Sequence, residues 1–542
     1  MTPALCATDH HPFMGADVPW LLAQRARTRR DHPFIVWEPF EGPGLTLTYG
    51  EFQDRVARIA GALQRRGVAA GQAVLIHLDN SPDALLAWYA CAWAGTVAVT
   101  TNTRASDDEL AYYAIHCGAV AGITQPRYAQ RVARHCTGLR WLAVTDGDHD
   151  DDGEPNGTLH RPDHRPDAAS RFAALDGEPA PRRAPNPLAP CSVQYTSGTT
   201  SRPKAVLWTH ANALWGASVN AVHEDLRADD VHLVHLPLFH TNAQAYSVLA
   251  CLWVGATAVV LPRFSASRFW PVSLKHRASW TSLIPFCSKA LMAHDVPAQH
   301  HYRRWGSAVC APASDAHFRV NTMGWWGMTE TITHGIVSSV HLPSPSLAIG
   351  RPAAEYRIAI VEDDSLPVRQ ARAVEPGGAG HLLIHGVRGL SLFQEYLGNA
   401  QATAESFDDE GWFRTGDRVL LLEEGSIQFG DRSKDMLKVG GENVAASEIE
   451  RVILAVPGVH ECAVVARAHR MLDEVPVAFV LPVAGLGADQ RAALAEQASA
   501  ACRAQLADFK WPAEVRLVDA LPRSLLEKVA KAELRRLLAA QG

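Results

Sequence analysis

The segment with the clearest chemistry is a run of hydroxylated residues, glycine and lysine at positions 195–204. It reads Tyr195-Thr196-Ser197-Gly198-Thr199-Thr200-Ser201-Arg202-Pro203-Lys204 and follows the apolar, strand-like run 191–194. Hydroxyl and backbone N–H groups donate hydrogen bonds to phosphate oxygens, glycine permits close approach, and lysine adds positive charge. We therefore predict a phosphate-binding loop that uses Thr196, Ser197, Gly198, Thr199, Thr200 and Lys204.

This loop differs from the P-loop of kinases and GTPases. The P-loop pattern GxxxxGK[ST] places lysine after glycine and before a hydroxylated residue. Here Lys204 follows Pro203 and precedes Ala205. The order therefore disfavours a kinase or GTPase. No HExxH or other zinc-binding spacing occurs in the chain.

Two later segments carry residue types that suit a nucleotide. The first is Trp326-Gly327-Met328-Thr329-Glu330 and the second is Trp412-Phe413-Arg414-Thr415-Gly416-Asp417. A carboxylate provides the oxygen ligands that a hard cation prefers, and it can also accept hydrogen bonds from a ribose diol. Read alone, the first segment is more typical of a buried turn, and Thr-Gly-Asp is a common turn.

Two segments near the C-terminus are rich in lysine and glycine. The first is Asp431-Arg432-Ser433-Lys434-Asp435-Met436-Leu437-Lys438-Val439-Gly440-Gly441-Glu442-Asn443, and the second is Leu521-Pro522-Arg523-Ser524-Leu525-Leu526-Glu527-Lys528-Val529. A mixed charge run is ordinarily a solvated surface. The paired glycines favour a functional reading of the first segment, because they let a backbone pass close to a ligand.

Taken in order, these segments resemble the signatures of the adenylate-forming superfamily. That superfamily includes acyl-CoA synthetases, nonribosomal adenylation domains and luciferases, and the resemblance covers nearly the whole chain. It is closest to acyl-CoA ligases like carnitine/crotonobetaine-CoA ligase. The resemblance implies an ATP-dependent acyl-CoA ligase, with ATP, Mg²⁺ and coenzyme A as ligands. The enzyme would form an acyl-adenylate and pass the acyl group to CoA.

The resemblance also implies roles for individual nucleotide-binding residues. Trp326, beside Gly327, stacks on adenine, where tyrosine is usual in the family. Thr329 contacts the α-phosphate, Glu330 holds Mg²⁺, and Asp417 accepts hydrogen bonds from the ribose.

Further roles are implied for the C-terminal segments. Arg432 also reaches the ribose, and Lys434 is the pivot of a mobile small domain. Lys438 assists thioester formation, while Gly440 and Gly441 pass close to the pantetheine arm of CoA. Lys528 bridges the acid's carboxylate and the α-phosphate in the first step.

The chain departs from the family pattern at a few places. Ser201 and Ala205 stand where glycine is typical, and so does Glu527, although some carnitine/crotonobetaine-CoA ligase-like members have glutamate there. The stretch 306–326 is several residues shorter than usual, so we expect a different wall for the adenine and acyl pocket. His240, in Leu236-Pro237-Leu238-Phe239-His240, matches an acyl-pocket motif; a structural histidine is the competing interpretation.

The surrounding sequence indicates α/β layers with parallel strands. Helices are predicted at 51–66 and 82–93, the second ending before Gly95, and strands at 74–78 and 96–101. Ser106 and Glu109 form a capping box for a further helix. The segment 146–187 is rich in proline and aspartate and is predicted to be an irregular exposed connection.

The chain is too long for one hydrophobic core. After Arg432 the pattern predicts a compact set with strands at 462–466, 475–481 and 514–518 and a helix at 489–505. We therefore predict a large domain at 1–432, built of layered α/β subdomains, and a small mobile α+β domain at 433–542. A β-barrel-like part of the large domain is implied by the resemblance.

Composition excludes several classes of protein. The 542 residues carry a net charge of −6, which gives no global electrostatic reason to bind nucleic acid or an anionic membrane. The ten cysteines are scattered and are predicted to be reduced and packed. The start is not a signal peptide and no run of about 18 apolar residues occurs. A cytoplasmic protein without a membrane span is therefore expected.

Three functions remain in competition at this point. The leading hypothesis is an acyl-CoA ligase. The second is an adenylating enzyme that loads a carrier protein, disfavoured by the absence of an attached carrier and by His240 in place of an amino-acid-binding aspartate. The third is a nucleotide-binding homologue without catalysis. The acid is open between carnitine-like, aromatic and steroid side-chain acids, and a homodimer is plausible by family analogy.

Overall fold

The computed structural model describes residues 10–148, 169–171, 175–196, 202–432, 436–483, 485–522, 529 and 531–539. Contacts group the chain into two compact units. The first unit comprises Met1–Thr103, Tyr113–Tyr195 and Ala205–Asp431. The second comprises Arg104–Tyr112, Thr196–Lys204 and Arg432–Gly542.

Three sheets are formed by strands β1 to β26. In chain order the strands are Pro33–Trp37, Leu45–Thr48, Ala73–His77, Val97–Thr100, Ala121–Thr124, Trp141–Val144, Ala169–Arg171, Pro190–Thr196, Lys204–Thr209, Val231–Val234, Thr257–Val260, Trp280–Ser282, Arg304–Ser307, Asn321–Gly327, His334–Val337, Ala348–Pro352, Arg357–Val361, Ala379–His385, Glu395–Tyr396, Trp412–Leu421, Ile427–Arg432, Met436–Val439, Glu442–Ala445, Val459–His469, Asp473–Pro482 and Glu514–Leu517.

Helices α1 to α14 connect and cover these strands. In chain order they are Val18–Thr28, Tyr49–Arg65, Pro82–Ala94, Asp107–His116, Pro126–His135, His210–His223, Ala250–Val254, Ala266–His276, Pro285–Leu291, Pro312–Phe318, Ala400–Glu405, Ala446–Leu454, Ala488–Gln505 and Lys531–Ala539. A π-helix at Asn242–Leu249 precedes α7, and a 3₁₀ turn spans Asp508–Lys510.

The smaller sheet of the first unit has eight strands in the order β19-β9-β8-β4-β3-β5-β6-β7. Strands β8, β4, β3, β5, β6 and β7 pair in parallel. Every residue of β3 and β4 is buried, as expected for strands covered by helices on both faces. The predicted strands at 74–78 and 96–101 are therefore confirmed within a residue or two.

Helix α3 illustrates how local sequence sets the element boundaries. Ser81 accepts a hydrogen bond from the Ala84 N–H, Pro82 stands in the first turn, and Gly95 ends the helix with φ +76°. Proline at the start and a left-handed glycine at the end are favoured helix signals. The predicted helix at 82–93 is confirmed. The predicted capping box is confirmed as well, because Ser106 and Glu109 exchange both hydrogen bonds ahead of α4.

The larger sheet has thirteen strands in the order β17-β18-β20-β21-β16-β15-β14-β13-β12-β10-β11-β1-β2. Strands β1, β11, β10, β12, β13 and β14 are parallel. From β14 onward, the pairs β14–β15, β15–β16 and β16–β21 are antiparallel. The Trp326 motif lies where the parallel part gives way to the antiparallel part.

The second unit contains a five-stranded sheet in the order β23-β22-β25-β24, with β26 paired to β25 in parallel. Its core packs apolar residues of β22, β24 and β25 against α12 and α13. Apolar burial of this kind is the main force holding a small domain together. The strands predicted at 462–466, 475–481 and 514–518 and the helix at 489–505 are all confirmed.

The segment 146–187 was predicted to be irregular throughout, and that prediction is wrong at one place. Residues Ala169–Arg171 form β7, which pairs with β6 through the backbone. A three-residue edge strand of small and polar side chains carries almost no sequence signal. Positions 149–168 and 172–174 lie outside the described residues.

Two compositional expectations can be compared with the described part of the chain. The nine described cysteines form no disulfide within the described part of the chain, and eight of them are buried. Burial raises the pKa of several of these thiols, for example that of Cys117 to about 11. Among the described residues, no helix combines the length and the apolar character that crossing a membrane requires.

Candidate functional site

Several predicted site residues of the first unit lie at or beyond the carboxyl ends of parallel strands. Gly327 ends β14, Thr329 and Glu330 follow it, and His240 lies in the connection after β10. Gln194 is near the end of β8 in the other sheet. The carboxyl ends of parallel strands are the usual place for ligands in α/β folds.

Thr329 is held by contacts with two side chains from other elements. Its hydroxyl oxygen lies 3.1 Å from that of Thr241, and the Thr241 hydroxyl donates to Gln194 Oε1 at 2.8 Å. The indole N–H of Trp208 donates to the Thr329 carbonyl at 2.9 Å. The hydroxyl that the family resemblance assigns to the α-phosphate is therefore fixed in place.

Glu330 is buried and tied down at both its backbone and its side chain. The Phe393 N–H donates to its carbonyl oxygen at 2.8 Å, and the Tyr396 hydroxyl donates to its Oε1 at 2.8 Å. Burial, followed by the charge of Glu330, raises the pKa of the Tyr396 hydroxyl well above its usual value. We call Gln194, Thr241, Thr329, Glu330 and Tyr396 the motif network.

Trp326 and Asp417 are paired directly. The indole N–H of Trp326 donates to Asp417 Oδ2 at 2.8 Å, and the Asp417 side chain is buried. Thr-Gly-Asp was read in isolation as a common turn, but Asp417 lies inside strand β20. Gly416 has φ +75° there, a left-handed conformation that glycine adopts without strain. The two residues predicted to flank a nucleoside are thus in contact.

The neighbouring residue Trp325 faces the opposite side of β14. Its ring stacks on His334, with centroids 4.2 Å apart, and Tyr246 of the π-helix packs on the same imidazole at 4.2 Å. Both glycines next to this stack are tightly covered. A Cβ on Gly306 would lie 1.6 Å from the Trp325 ring, and one on Gly327 would lie 2.4 Å from the Tyr246 hydroxyl.

A second buried polar group adjoins this stack. Glu224 Oε2 lies 3.8 Å from His232 Nε2, and Glu224 Oε1 lies 4.0 Å from His334 Nε2. Neither carboxylate oxygen has a hydrogen-bond partner among the described residues. Burial raises the pKa of Glu224 well above normal and lowers that of His232 to about 4. We call these three residues the histidine cluster; burial favours their neutral forms.

His240 is half-buried in the loop between β10 and the π-helix. Its N–H donates to the Pro237 carbonyl at 3.0 Å, and its ring packs on Phe239 with centroids 4.6 Å apart. The next residue is Thr241, which contacts Thr329. His240 therefore directly precedes a residue of the motif network, and its role at the acyl pocket stays a prediction.

Two parts of the hinge-like segment are described within the second unit. Lys438 is exposed on β22, and its N–H donates to Glu474 Oε2 at 2.7 Å. Gly440 and Gly441 form the turn between β22 and β23, with φ +58° and +91°. Both conformations favour glycine, so the paired glycines have a backbone requirement independent of any ligand. Arg432 is the last residue of β21.

Several predicted residues cannot be placed. Thr196 ends β8 and Lys204 begins β9, but residues 197–201 between them are outside the described part, as are the hinge lysine and residues 523–528 of the late lysine motif. These positions are Ser197, Gly198, Thr199, Thr200, Ser201, Lys434, Glu527 and Lys528. Their roles stay predictions.

Some residues of the site were not identified from the sequence. Thr241 and Trp208 contact Thr329 from positions 88 and 121 residues away along the chain, and Gln194 contacts Thr241 across 47 residues. No local pattern marks them. The only available signal was proximity to predicted motifs: Trp208 follows the phosphate loop, Gln194 precedes it, and Thr241 follows His240.

Comparison with family models gives two matches. Residues 22–397 match the model described as AMP-binding enzyme. Residues 448–528 match the model described as AMP-binding enzyme C-terminal domain.

Among curated proteins, the chain is similar to two ligases of the same name. Crotonobetaine/carnitine–CoA ligase of Proteus mirabilis is 30% identical over 514 residues, covering 92% of this chain and 95% of the relative. Crotonobetaine/carnitine–CoA ligase of Escherichia coli is 32% identical over 520 residues, with the same coverage of both chains.

Solved structures with the same fold include two acyl-CoA-forming enzymes. An o-succinylbenzoate CoA synthetase of Bacillus subtilis has a TM-score of 0.79 at 23% identity, covering 95% of this chain and 98% of that one. A benzoate CoA ligase of Burkholderia xenovorans has a TM-score of 0.67 at 25% identity, covering 96% and 100%. The α/β fold class predicted from the sequence is thereby confirmed.

Proposed function

The chain belongs to the AMP-binding enzyme family and is an acyl-CoA ligase of the AMP-forming type, and we propose how its residues divide the reaction. In the first step a carboxylate oxygen of the acid attacks the α-phosphorus of ATP. Pyrophosphate leaves and an acyl-adenylate forms. In the second step the thiolate of CoA, which has lost its proton, attacks the adenylate carbonyl. A thioester forms and AMP leaves.

The motif network is the observation that carries this assignment. Thr329 and Glu330 stand side by side, each held by hydrogen bonds from other elements. A fixed hydroxyl donor and a fixed carboxylate are the two groups needed beside a phosphate whose charge increases during displacement. Rigid placement matters because preorganised groups stabilise a transition state without rearranging.

Recognition of the nucleoside is assigned to Trp326 and Asp417. Asp417 Oδ2 accepts the indole N–H, so the carboxylate is already oriented before ATP arrives. Asp417 then holds the ribose hydroxyls and the indole face of Trp326 packs on adenine. Arg432 contributes a second contact to the ribose.

Magnesium fits the residues that are present. Mg²⁺ usually binds proteins through one or two carboxylates and takes its remaining ligands from water and substrate phosphates. The buried carboxylate of Glu330 meets that requirement, and no group of three or more metal-binding side chains occurs among the described residues. When bound, the ion neutralises charge on the phosphates and the departing pyrophosphate.

The remaining anionic charge is assigned to lysines and to the hydroxylated loop. Thr196 to Thr200, with Lys204, bind the phosphates of ATP, and Lys528 bridges the acid and the α-phosphate. The site brings two anions together, which requires positive charge and hydrogen-bond donors at the point of contact. Lys438, Gly440 and Gly441 serve the second step, with Lys434 as the pivot between the steps.

A compact acid is the substrate class that the packing around β14 favours. Tyr246, His334 and Trp325 fill the space directly beside Gly327, next to Thr329. We propose that this stack disfavours bulky acids such as a steroid side-chain acid. Among the curated relatives, the named acids are crotonobetaine and carnitine, which are small. We assign to His240, which precedes Thr241, the role of positioning the acid.

The test is AMP release from ATP and Mg²⁺ over a panel of carboxylic acids, with and without CoA. Crotonobetaine, carnitine, short aliphatic acids and benzoate head the panel. The Lys528→Ala variant should lose at least about 100-fold in the first step. The matched control is Lys531→Ala, because the Lys531 ammonium is paired with Glu450 at 2.7 Å. This control should keep its activity.

The outcomes separate the competing functions. Acid-dependent AMP that accumulates only with CoA, and falls in Lys528→Ala, establishes the ligase. Acid-dependent pyrophosphate release without any use of CoA indicates a carrier-loading enzyme. Tight ATP binding with no AMP for any acid indicates a homologue that binds nucleotide without catalysis. The cytoplasmic location and a homodimer stay predictions.

A further inference from the structure

Asn80 is a buried polar residue just after β3, in the sheet that does not carry the Trp326 motif. Its exposed fraction is 4%. We propose that Asn80 is a positioning residue that fixes the loop 236–241 and thereby the approach of the acid to the motif network. This inference rests on the proposed function.

The side chain of Asn80 makes three hydrogen bonds, all to backbone groups that follow β10 and β11 of the larger sheet. Its Nδ2 donates to the carbonyls of Leu236 at 2.9 Å and Leu261 at 3.1 Å. Its Oδ1 accepts the N–H of Leu238 at 2.8 Å. Two carbonyls face the amide nitrogen and one N–H faces the amide oxygen, so the orientation of the amide is determined by its partners.

The loop depends on these bonds because its own backbone supplies few. Pro237 has no N–H, and the turn is closed by the His240 N–H donating to the Pro237 carbonyl at 3.0 Å. Leu236 and Leu238 are buried, so their unpaired backbone groups would be deprived of water. A buried backbone group without a partner is strongly unfavourable. Asn80 removes that penalty only when the loop has its present conformation.

The loop 236–241 ends at a residue that contacts Thr329 of the motif network. It ends at His240 and Thr241, and the Thr241 hydroxyl lies 3.1 Å from that of Thr329 and donates to Gln194. Asn80 follows β3 and Gln194 lies in β8, both strands of the eight-stranded sheet, whereas Thr241 and Thr329 follow strands of the thirteen-stranded sheet. Asn80 therefore holds the two sheets of the first unit in register at the place where the acid must meet the α-phosphate.

The chain offers a matched control in Asn212. It is also buried, its Nδ2 also donates to two backbone carbonyls, of Leu390 and Leu392 at 2.8 Å each, and its Oδ1 also accepts a backbone N–H. It caps α6 and has no bond to the loop 236–241. Replacing either asparagine by alanine removes a similar set of bonds, but only one of the two sets holds this loop.

The experiment compares Asn80→Ala and Asn212→Ala in the acid-dependent AMP assay and in thermal unfolding. Both variants should lower the unfolding temperature. Asn80→Ala should raise the KM for the acid about tenfold or more and leave the KM for ATP within about twofold. Asn212→Ala should leave both within about twofold. Equal effects of Asn80→Ala on the two KM values, or the same pattern in both variants, would overturn the proposal.

A conservative variant supplies a second readout. Asn80→Asp keeps the shape of the side chain, and its carboxyl has an O–H donor only when protonated. Its elevated KM for the acid should therefore move toward the wild-type value as pH falls from about 8 to about 6, since burial between two carbonyls raises a carboxyl pKa. A defect that is unchanged or grows as pH falls contradicts the proposal.

The activity of the wild-type protein distinguishes failure of the proposed function from failure of the proposal for Asn80. If the wild type releases no acid-dependent AMP, the ligase assignment fails, and amide hydrogen exchange then tests the loop. Faster exchange of peptide 234–241 in Asn80→Ala than in Asn212→Ala supports positioning by Asn80. Equal exchange in the two variants overturns it. This measurement also serves if Asn80→Ala is too unstable for kinetics, with Asn80→Asp in its place.

Discussion

The first unit contains two buried polar regions, the motif network and the histidine cluster, that differ in how their polar atoms are paired. In the motif network, Tyr396 donates to Glu330 and Thr241 donates to Gln194, each at 2.8 Å. In the histidine cluster, the carboxylate oxygens of Glu224 and both ring nitrogens of His334 have no hydrogen-bond partner among the described residues.

This difference distinguishes a region whose carboxylate is hydrogen-bonded from one whose ionisable side chains are held in their neutral forms. Hydrogen bonds to a carboxylate favour its ionised form and fix its direction, which agrees with the proposed role of Glu330 as a ligand of Mg²⁺. Burial without hydrogen bonds favours the neutral forms of Glu224, His232 and His334. Burial alone therefore does not identify a reactive carboxylate; its hydrogen-bond partners do.

The largest effect is expected from removing the charge of Glu330. Glu330→Gln keeps the size of the side chain and an acceptor for Tyr396, so stability should change little. Formation of the acyl-adenylate should fall by about 100- to 1,000-fold, the scale seen when one preorganised electrostatic group is lost. The measurement is single-turnover formation of acyl-AMP and pyrophosphate with saturating ATP and acid.

Glu224→Gln is the matched control in the histidine cluster. It removes a carboxyl that has no hydrogen-bond partner, so activity should stay within a few-fold and stability should not fall by more than about 1 kcal/mol. Equal losses of activity in the two variants would remove the distinction between the regions.

The next effect is a loss of stability in acid caused by buried histidines. Burial lowers the pKa of His232 to about 4, although the Leu233 backbone and Asp230 act to raise it. The unfolded chain has the normal value near 6.5 and so binds a proton first as pH falls. The contribution of His232 is complete above about pH 6.5 and decreases toward pH 4, with about 2 kcal/mol lost at pH 5.

Urea unfolding at pH 7 and pH 5 measures this loss, and His232→Gln should reduce the difference between the two pH values. His77, His210 and His235, each with a pKa lowered to about 3 by burial, add to the acid sensitivity of the wild type. A wild type that is equally stable at both pH values would show that these rings are not neutral in the folded protein.

A smaller effect is expected from the nucleoside contact. Trp326→Phe keeps an aromatic face but loses the N–H that Asp417 accepts, leaving a buried carboxylate without that partner. Hydrogen bonds to charged groups are worth about 1.5–3 kcal/mol, so the KM for ATP should rise about tenfold or more. Trp325→Phe, on the opposite face, is the control and should leave the KM for ATP nearly unchanged.

The smallest effect is expected from Tyr396→Phe. The ring packing remains and the Phe393 N–H still holds the backbone of Glu330, but the hydroxyl contact to Glu330 Oε1 is lost. We expect kcat to fall about three- to tenfold, equivalent to about 1 kcal/mol. If kcat is unchanged, the Tyr396 hydroxyl does not orient Glu330 during the reaction.

Local features of the fold were predictable from the sequence because their causes are local. Ser81, Pro82 and Gly95 define α3 within one helix, and Ser106 with Glu109 form a box across four residues. The π-helix at Asn242–Leu249 was not predicted, since nothing in its residue types separates it from an α-helix. Wide turns of this kind are set by packing and are frequent at functional sites.

The site was predictable only in part, because its arrangement depends on contacts between residues that are far apart in the sequence. Trp326, Thr329, Glu330 and Asp417 lie in motifs, but their mutual arrangement depends on pairs such as Trp326 with Asp417, which are 91 residues apart. Asn80 reaches Leu236 and Leu238 of its loop across 156 and 158 residues. One sequence read alone contains no signal for such contacts, because a buried asparagine after a strand is typical of any turn.

The alternation of side chains along β14 has a consequence for how this chain tolerates changes in length. Trp325 and Trp326 face opposite sides, and the register with β13 runs from Arg304 opposite Asn321 to Ser307 opposite Gly324. The connection 308–320 can therefore gain or lose residues while the two indoles keep their directions. One residue inserted between 321 and 326 would exchange them and turn the nucleoside partner of Asp417 toward the acid. Within β14, the position of each indole in the alternation of side chains therefore decides which face it occupies.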